Sequence, residues 1–121
     1  MPGGSEWLVD AFGCDPERLR NLDVLAALGR RLVAALELNV IGEPLLHRFG
    51  GEGGVTGLYL LSESHLAWHT FPESALCTLN LFCCRPRPML DWSFVLREGL
   101  GASHVVVSVV PRGSGGPGNG P

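Results

Sequence analysis

Apolar and polar residues follow two different periods along this chain, and each period predicts one type of secondary structure. Between residues 23 and 36, leucines recur every three or four positions, which is typical of a helix with one buried side. Residues 76–84 alternate instead, so Cys77, Leu79, Leu81 and Cys83 are expected to share one face of a strand. Other short apolar runs predict strands at residues 6–12, 38–49, 55–63, 64–71 and 105–110.

Proline and glycine mark the ends of these elements. Asp15 followed by Pro16 is a helix-start signal, which we expect to open only a short turn. The glycines of residues 50–54 predict a turn, and the prolines of residues 85–88 predict a break before a helix at residues 90–100. Residues 113–121 are rich in Gly, Pro and Ser and are predicted to form a disordered tail.

Two helices among about six strands predict a fold of the α+β class. We expect a two-layer sandwich in which a largely antiparallel sheet carries both helices on one face. Residues 1–112 would form this single domain. The second face of the sheet must also be buried, and an identical copy could bury it, so we expect a homodimer.

The composition is that of a globular protein and excludes several classes of function. Hydrophobic residues make up 45% of the chain and charged residues 17%, which argues against disorder. The net charge is −3 and the basic residues are scattered arginines, so a nucleic-acid partner is not expected. No apolar run approaches the ~20 residues of a membrane helix. Residues 1–6 lack the basic start and apolar block of a signal peptide, so we expect a cytoplasmic location and reduced cysteines.

Polar chemistry is concentrated between two apolar runs, in Ser62-Glu63-Ser64-His65 and in His69-Thr70-Phe71-Pro72-Glu73. The residue types alone leave several interpretations open. A serine near a histidine could be a hydrolase nucleophile, although the Gly-x-Ser-x-Gly turn is missing. The two histidines with nearby thiols could bind zinc, although the sequence has no Cys-x-x-Cys pair. The same side chains could also merely satisfy backbone groups at the end of a strand.

These two motifs, together with Asn80-Leu81-Phe82-Cys83-Cys84, closely resemble the bacterial S-adenosylmethionine decarboxylase proenzymes. The resemblance covers nearly the whole chain. It begins at Leu8-Val9-Asp10-Ala11-Phe12-Gly13-Cys14, continues through His47-Arg48-Phe49 and ends near Gly101-Ala102-Ser103. It is specific, because the first two motifs at this spacing match no other common motif.

The resemblance implies a proenzyme that cuts itself between Glu63 and Ser64, into a beta chain of residues 1–63 and an alpha chain of residues 64–121. The Ser64 hydroxyl would attack the preceding carbonyl, and elimination of the Glu63 carboxylate would lead to a pyruvoyl group at the start of the alpha chain. This self-generated cofactor would form a Schiff base with S-adenosylmethionine and accept the electrons released when carbon dioxide leaves. The product is the aminopropyl donor of spermidine biosynthesis.

By their positions in the motifs, five further residues acquire roles from the resemblance. His69 would be the proton acceptor in processing, and Thr56 stands where the family has a serine whose hydroxyl assists that step. Cys84 would be the proton donor in decarboxylation. Glu73 would hold the ribose hydroxyls of the substrate, and Phe49 would stack on its adenine. No metal ion is expected.

The chain differs from the family at three places near the expected pocket. Asn80 replaces an aspartate, Cys83 replaces a threonine, and residues 74–76 replace aromatic and glycine residues. These differences affect the choice of substrate more than the processing. Two alternatives therefore stay open: a pyruvoyl-dependent decarboxylase of arginine or ornithine, and a non-processing regulatory homologue.

Overall fold

Six strands form one sheet, and three helices pack on one of its faces. The computed structural model describes residues 4–62, 64–113 and 117. The strands are β1 (Gly4–Phe12), β2 (Leu45–Arg48), β3 (Val55–Leu61), β4 (Ser64–Phe71), β5 (Leu76–Cys83) and β6 (His104–Arg112). The helices are α1 (Pro16–Leu19), α2 (Leu22–Ala35) and α3 (Trp92–Leu100), and a 3₁₀ turn spans Pro72–Ser74.

The strand order in the sheet is β2-β3-β4-β5-β1-β6, and the neighbouring strands are antiparallel throughout. β3, β4 and β5 lie side by side because short connections join them in sequence. β1 inserts between β5 and β6, which places the first and last strands side by side. The predicted two-layer α+β sandwich with a largely antiparallel sheet is confirmed.

Alternating burial along β3, β4, β5 and the later part of β1 separates a face covered by helices from an open face, whereas β2 and β6 are largely exposed. On the covered face, Val9, Leu66, Trp68 and Leu79 are at most 4% exposed. They pack with the leucine row of α2 that the helical spacing predicted, which consists of Leu25, Leu28, Leu32 and Leu36. Burial of this apolar surface, at roughly 25 cal/mol per Å², is the main term that stabilises the two layers.

Polar side chains at the helix ends decide where the helices begin. Asp15 caps α1 and Asn21 caps α2, because each side-chain oxygen accepts a backbone N–H of the first turn. Asp91 does the same for α3, so that helix begins at Trp92 and not at residue 90 as predicted. Gly101 ends α3 with φ of +73°, a conformation that glycine adopts without strain. Of the helices in the described ranges, none is long and apolar enough to cross a membrane.

The predicted strand at residues 38–49 is wrong over its first half. Only Leu45–Arg48 forms a strand, and Val40 contributes an isolated bridge to Leu61. Gly42 has φ of +72° and Pro44 has no N–H to donate, so regular pairing cannot run through this stretch. Two other predictions, which concern Glu63 and most of the tail at 113–121, fall outside the described residues.

The open face of the sheet lies opposite the helices, and no element of the described chain covers it. Its apolar side chains include Leu8, Leu58, Leu60, Val106 and Val110, and each of these is at least 39% exposed. Polar side chains lie among them, and several belong to the motifs singled out in the sequence. An exposed apolar area of this kind is characteristic of an interaction surface.

Candidate active site

A cavity of about 270 Å³ lies between the loop that follows β2 and the adjoining ends of β3 and β4. Four of the predicted site residues line it: Phe49, Thr56, His69 and Glu73. They come from the loop, from β3, from β4 and from the 3₁₀ turn, respectively. The antiparallel pairing of β3 with β4 brings these separate segments together. We call these four residues the cavity group.

Thr56 and His69 lie directly opposite each other on β3 and β4 and form a side-chain pair. The distance between Thr56 Oγ1 and His69 Nδ1 is 2.8 Å, which is that of a hydrogen bond. When Nδ1–H donates to the hydroxyl, the lone pair of His69 Nε2 is free to accept a proton. The pair therefore has the geometry of a base that a hydroxyl holds in one orientation.

Phe49 begins a loop that closes on itself at the rim of the cavity. The Phe49 N–H donates to the Gly54 carbonyl at 2.8 Å. Gly54 is required at this position, because a Cβ would lie only 2.6 Å from the carbonyl oxygen of Thr70. The Phe49 ring is 53% exposed and meets His47 edge to face, with ring centroids 4.6 Å apart. An exposed aromatic ring held in this way offers a flat surface for stacking.

The other rim of the cavity carries Glu73, whose side chain is exposed. Thr70, three residues earlier, is only 4% exposed and is tied to two other elements. Its hydroxyl donates to the Leu19 carbonyl at 2.7 Å and accepts the Val55 N–H at 2.8 Å. Thr70 was not predicted as a site residue. A signal for it was present, because strand alternation within the His-Thr-Phe-Pro-Glu motif turns this hydroxyl inward.

Ser64 and Cys84 lie at the opposite end of β4 from the cavity. Ser64 is the first residue of β4, is 7% exposed, and donates its hydroxyl hydrogen to the Ser62 carbonyl at 3.1 Å. The register pairs His65 with Phe82, so the end of β5, and Cys84 just beyond it, lie beside the start of β4. We call this region the Ser64 end.

The cavity group and the Ser64 end do not meet within one chain. Ser64 and His69 are five residues apart on one continuous strand, which separates them by about 17 Å. Ser64 is also buried on the helix-covered face, whereas His69 is exposed on the open face. His69 therefore cannot reach Ser64 of its own chain.

A polar network on the open face involves β1, β5 and β6. The Glu6 carboxylate accepts hydrogen bonds from Asn80 Nδ2 at 2.7 Å and from Arg112. These bonds, from Asn80 first and then from Arg112, hold the pKa of the Glu6 carboxyl below its ordinary value. An aspartate in place of Asn80 would put a second carboxylate against Glu6. The network was not predicted, although Glu6 and Asp10 form a visible pair of acids on one face of an apolar strand.

The cysteines differ in burial. Burial raises the pKa of the Cys14 thiol to about 11 and also raises the pKa values of Cys77 and Cys83. Cys84 is partly exposed, whereas the other three are buried, so it is the thiol that a ligand reaches most readily. Within the part of the chain that the structure describes, no three His, Cys, Asp or Glu side chains cluster to hold a metal ion.

Two kinds of comparison with known proteins, with a family model and with individual relatives, give the same family. The model of the family described as S-adenosylmethionine decarboxylase matches residues 5–113. The S-adenosylmethionine decarboxylase proenzyme of Shouchella clausii is 32% identical over 115 residues, which cover 93% of this chain and 86% of that protein. The proenzyme of Caldicellulosiruptor saccharolyticus is 32% identical over 113 residues, which cover 91% of this chain and 88% of that protein.

A solved structure has the same fold. The crystal structure of the adenosylmethionine decarboxylase from Aquifex aeolicus matches with a TM-score of 0.75, and the match covers 94% of this chain and 93% of that one. The two sequences are 24% identical, so this likeness shows the fold alone.

Proposed function

The chain belongs to the S-adenosylmethionine decarboxylase family, and we propose that it is a self-processing proenzyme that decarboxylates S-adenosylmethionine with a pyruvoyl group made from Ser64. One observation carries the proposal: residues expected for processing and for nucleoside binding line the same cavity. The pair of Thr56 and His69 supplies an oriented base there, and Phe49 and Glu73 form the rims.

Ser64 supports the first step of self-cleavage by its position. Its hydroxyl bonds back to the Ser62 carbonyl, so the oxygen is turned towards the chain that precedes it. In the proposed reaction this oxygen attacks the carbonyl carbon of residue 63, the C–N bond breaks, and the acyl group moves to Oγ as an ester. Removal of the Ser64 α-proton then expels the Glu63 carboxylate. Hydrolysis of the resulting dehydroalanine releases ammonia and leaves a keto group on residue 64.

The base for that α-proton must come from a second copy of the chain if it is His69, since five strand residues separate it from Ser64. The open face supports such a copy, because it exposes Leu8, Leu58 and Leu60. Two of these faces packed together about a twofold axis would place the cavity group of one protomer against the Ser64 end of the other, where His69 needs to reach only the backbone α-hydrogen of Ser64 and not its side chain on the covered face. A homodimer with shared sites is therefore part of the proposal.

The cavity group would bind the nucleoside part of the substrate. The exposed ring of Phe49 would stack on adenine, and the Glu73 carboxylate would accept hydrogen bonds from the ribose hydroxyls. The cavity, at about 270 Å³, is smaller than most ligand sites, which fits a site completed by the second protomer. The amino-acid part of the substrate would extend towards Ser64 and Cys84 of the second protomer.

The Ser64 end fits the pyruvoyl group, because Ser64 is 7% exposed and a keto group formed there would be sheltered from bulk water. When present, this group condenses with the substrate amine and accepts the electrons of the broken C–C bond. Cys84, the partly exposed thiol, is proposed to return a proton to the product carbon. We propose the cytoplasm as the location of the reaction, where thiols stay reduced.

Release of carbon dioxide from carboxyl-labelled substrates tests the proposal. The processed protein is expected to release it from S-adenosylmethionine and far more slowly from arginine or ornithine. Faster release from either basic amino acid would overturn the choice of substrate. A processed protein that acts on none of the three would overturn the enzymatic function.

A further inference from the structure

We propose that Arg20 is a positioning residue for substrate binding, because its guanidinium ties the loop of residues 49–54 to the junction between α1 and α2. The inference deepens the proposed function and rests on it, since it gives Arg20 a part in binding the same nucleoside. Arg20 lies outside the motifs that the sequence singled out. It acts on the substrate only through the loop.

Arg20 contacts both the backbone and the side chain of one loop residue, Glu52. Arg20 Nε donates to the Glu52 carbonyl at 2.8 Å, and Nη2 lies 3.7 Å from the Glu52 carboxylate. Arg20 Nη1 donates to Glu17 Oε1 at 2.8 Å, which fixes the guanidinium from its own side. The side chain is 27% exposed, so water screens these contacts only in part. The planar fork of an arginine is suited to such simultaneous contacts.

The loop needs an outside anchor because of its composition. Four of its residues are glycines, and two of them, Gly51 and Gly53, have φ of +70° and +78°. Glycine loses more conformational entropy on ordering than other residues do. A Cβ at Gly53 would lie 3.3 Å from Arg20 Cγ and 3.1 Å from Arg48 Nη2, so the loop packs closely against these two arginines.

A loop that is ordered before the ligand arrives favours ligand binding. It does not change the self-cleavage or decarboxylation steps. Phe49 and Glu52 of the loop line the cavity, and Phe49 is the proposed stacking surface. Without Arg20, the ligand would have to order the loop itself, which weakens affinity. Thr56 and His69 lie on strands and not on the loop. Self-cleavage and kcat should therefore be retained while KM rises.

The test compares Arg20→Ala with Arg18→Ala. Arg18 lies two residues earlier, and its Nη1 also donates to a backbone carbonyl, that of Glu98 on α3, at 3.0 Å and away from the cavity. The probe is 5′-methylthioadenosine, an adenine nucleoside thioether that lacks the aliphatic amino group needed to form a Schiff base with a keto group. Calorimetry with processed enzyme should show about tenfold weaker binding for Arg20→Ala, the size of one charge-assisted hydrogen bond. Arg18→Ala should bind as the wild type does, and Arg20→Lys should fall between.

Hydrogen exchange at the amides of residues 50–54 gives a second measurement that needs no catalysis. Exchange should be faster in Arg20→Ala and unchanged in Arg18→Ala. Unchanged exchange or unchanged nucleoside affinity in Arg20→Ala would overturn the inference, and so would an equal loss of kcat or of self-cleavage. These results would leave the proposed function standing if the wild type still releases carbon dioxide from S-adenosylmethionine. A wild type that neither binds the nucleoside nor releases carbon dioxide would overturn both.

Discussion

The two ends of β4 differ in the side chains that the fold gathers around them. At its last residues, a loop, two strands and a 3₁₀ turn converge on a cavity with an oriented imidazole. At its first residue lies a buried serine hydroxyl, with the thiol of Cys84 nearby. In the proposed mechanism, the first end binds the ligand and takes a proton, whereas the second carries the bond to be cut. Because the extended strand keeps the two ends apart, the proposed mechanism combines one end of each of two chains.

The largest effect is expected when two variants are combined, one altered in the cavity group and the other at the Ser64 end. His69→Ala and Ser64→Ala should each remain uncut when produced alone. When the two are produced together in equal amounts, random pairing should place about half of the His69→Ala chains beside a Ser64→Ala chain. We therefore expect about half of the His69→Ala chains to be cut, as measured by mass spectrometry under denaturing conditions.

Two results of that mixture would contradict this division of roles between the two ends. Cleavage of His69→Ala alone at the wild-type rate would show that His69 is not the base. Absence of cleavage in a mixture whose mixed dimers are detected by native mass spectrometry would show that the two ends do not act across protomers.

A smaller effect is expected at the hydroxyl that orients the base. Thr56→Val keeps the shape of the side chain and removes its hydrogen bond to His69, so self-cleavage should slow by roughly 10- to 100-fold. Thr56→Ser should stay close to the wild type. Thr78→Val is the matched control, because Thr78 lies opposite His69 on the other neighbouring strand. Equal cleavage time courses for Thr56→Val and Thr78→Val would count against the orienting role.

The cysteine at the Ser64 end should be more reactive than the cysteines in the core. With its pKa raised to about 11, Cys14 has about a hundredth of the thiolate of an ordinary thiol at pH 8. Burial also protects Cys77 and Cys83. Brief alkylation of the native protein at pH 8 should therefore label Cys84 first, and Cys84→Ser should remove that label, as peptide mapping can show. Labelling of Cys14 or Cys77 ahead of Cys84 would contradict the assigned burial.

The fold was largely predictable, because the strongest patterns in the sequence arise from helices and strands that are buried on one side only. The leucine spacing of α2 and the alternation of β5 both follow from a single covered face, and the structure has both. Residues 38–44 were predicted wrongly, because Val40 and Ile41 look like a strand while Gly42 and Pro44 stop its pairing. The apolar pattern of a segment does not reveal whether a neighbouring strand can form regular hydrogen bonds with its backbone.

The sequence yields a set of candidate site residues, whereas most of the contacts that arrange them become visible only in the structure. Ser64 and His69 are close in sequence, but the strand predicted at residues 64–71 already implies that they lie far apart, and β4 runs unbroken from one to the other. The contacts of Arg20 with Glu52 and of Thr70 with Leu19 join residues 32 and 51 positions apart. No local pattern predicts such contacts, because they depend on how α1 packs beside the sheet.

The intact mass of the wild-type protein under denaturing conditions, measured fresh and after ageing, tests the central claim most directly. We expect two species, residues 1–63 and residues 64–121, with a carbonyl reagent labelling only the second. Ser64→Ala should stay whole and unlabelled, whereas Ser62→Ala, which keeps the carbonyl that Ser64 contacts, should be cut. A wild type that remains one unlabelled chain of residues 1–121 would contradict self-processing and, with it, the proposed enzyme.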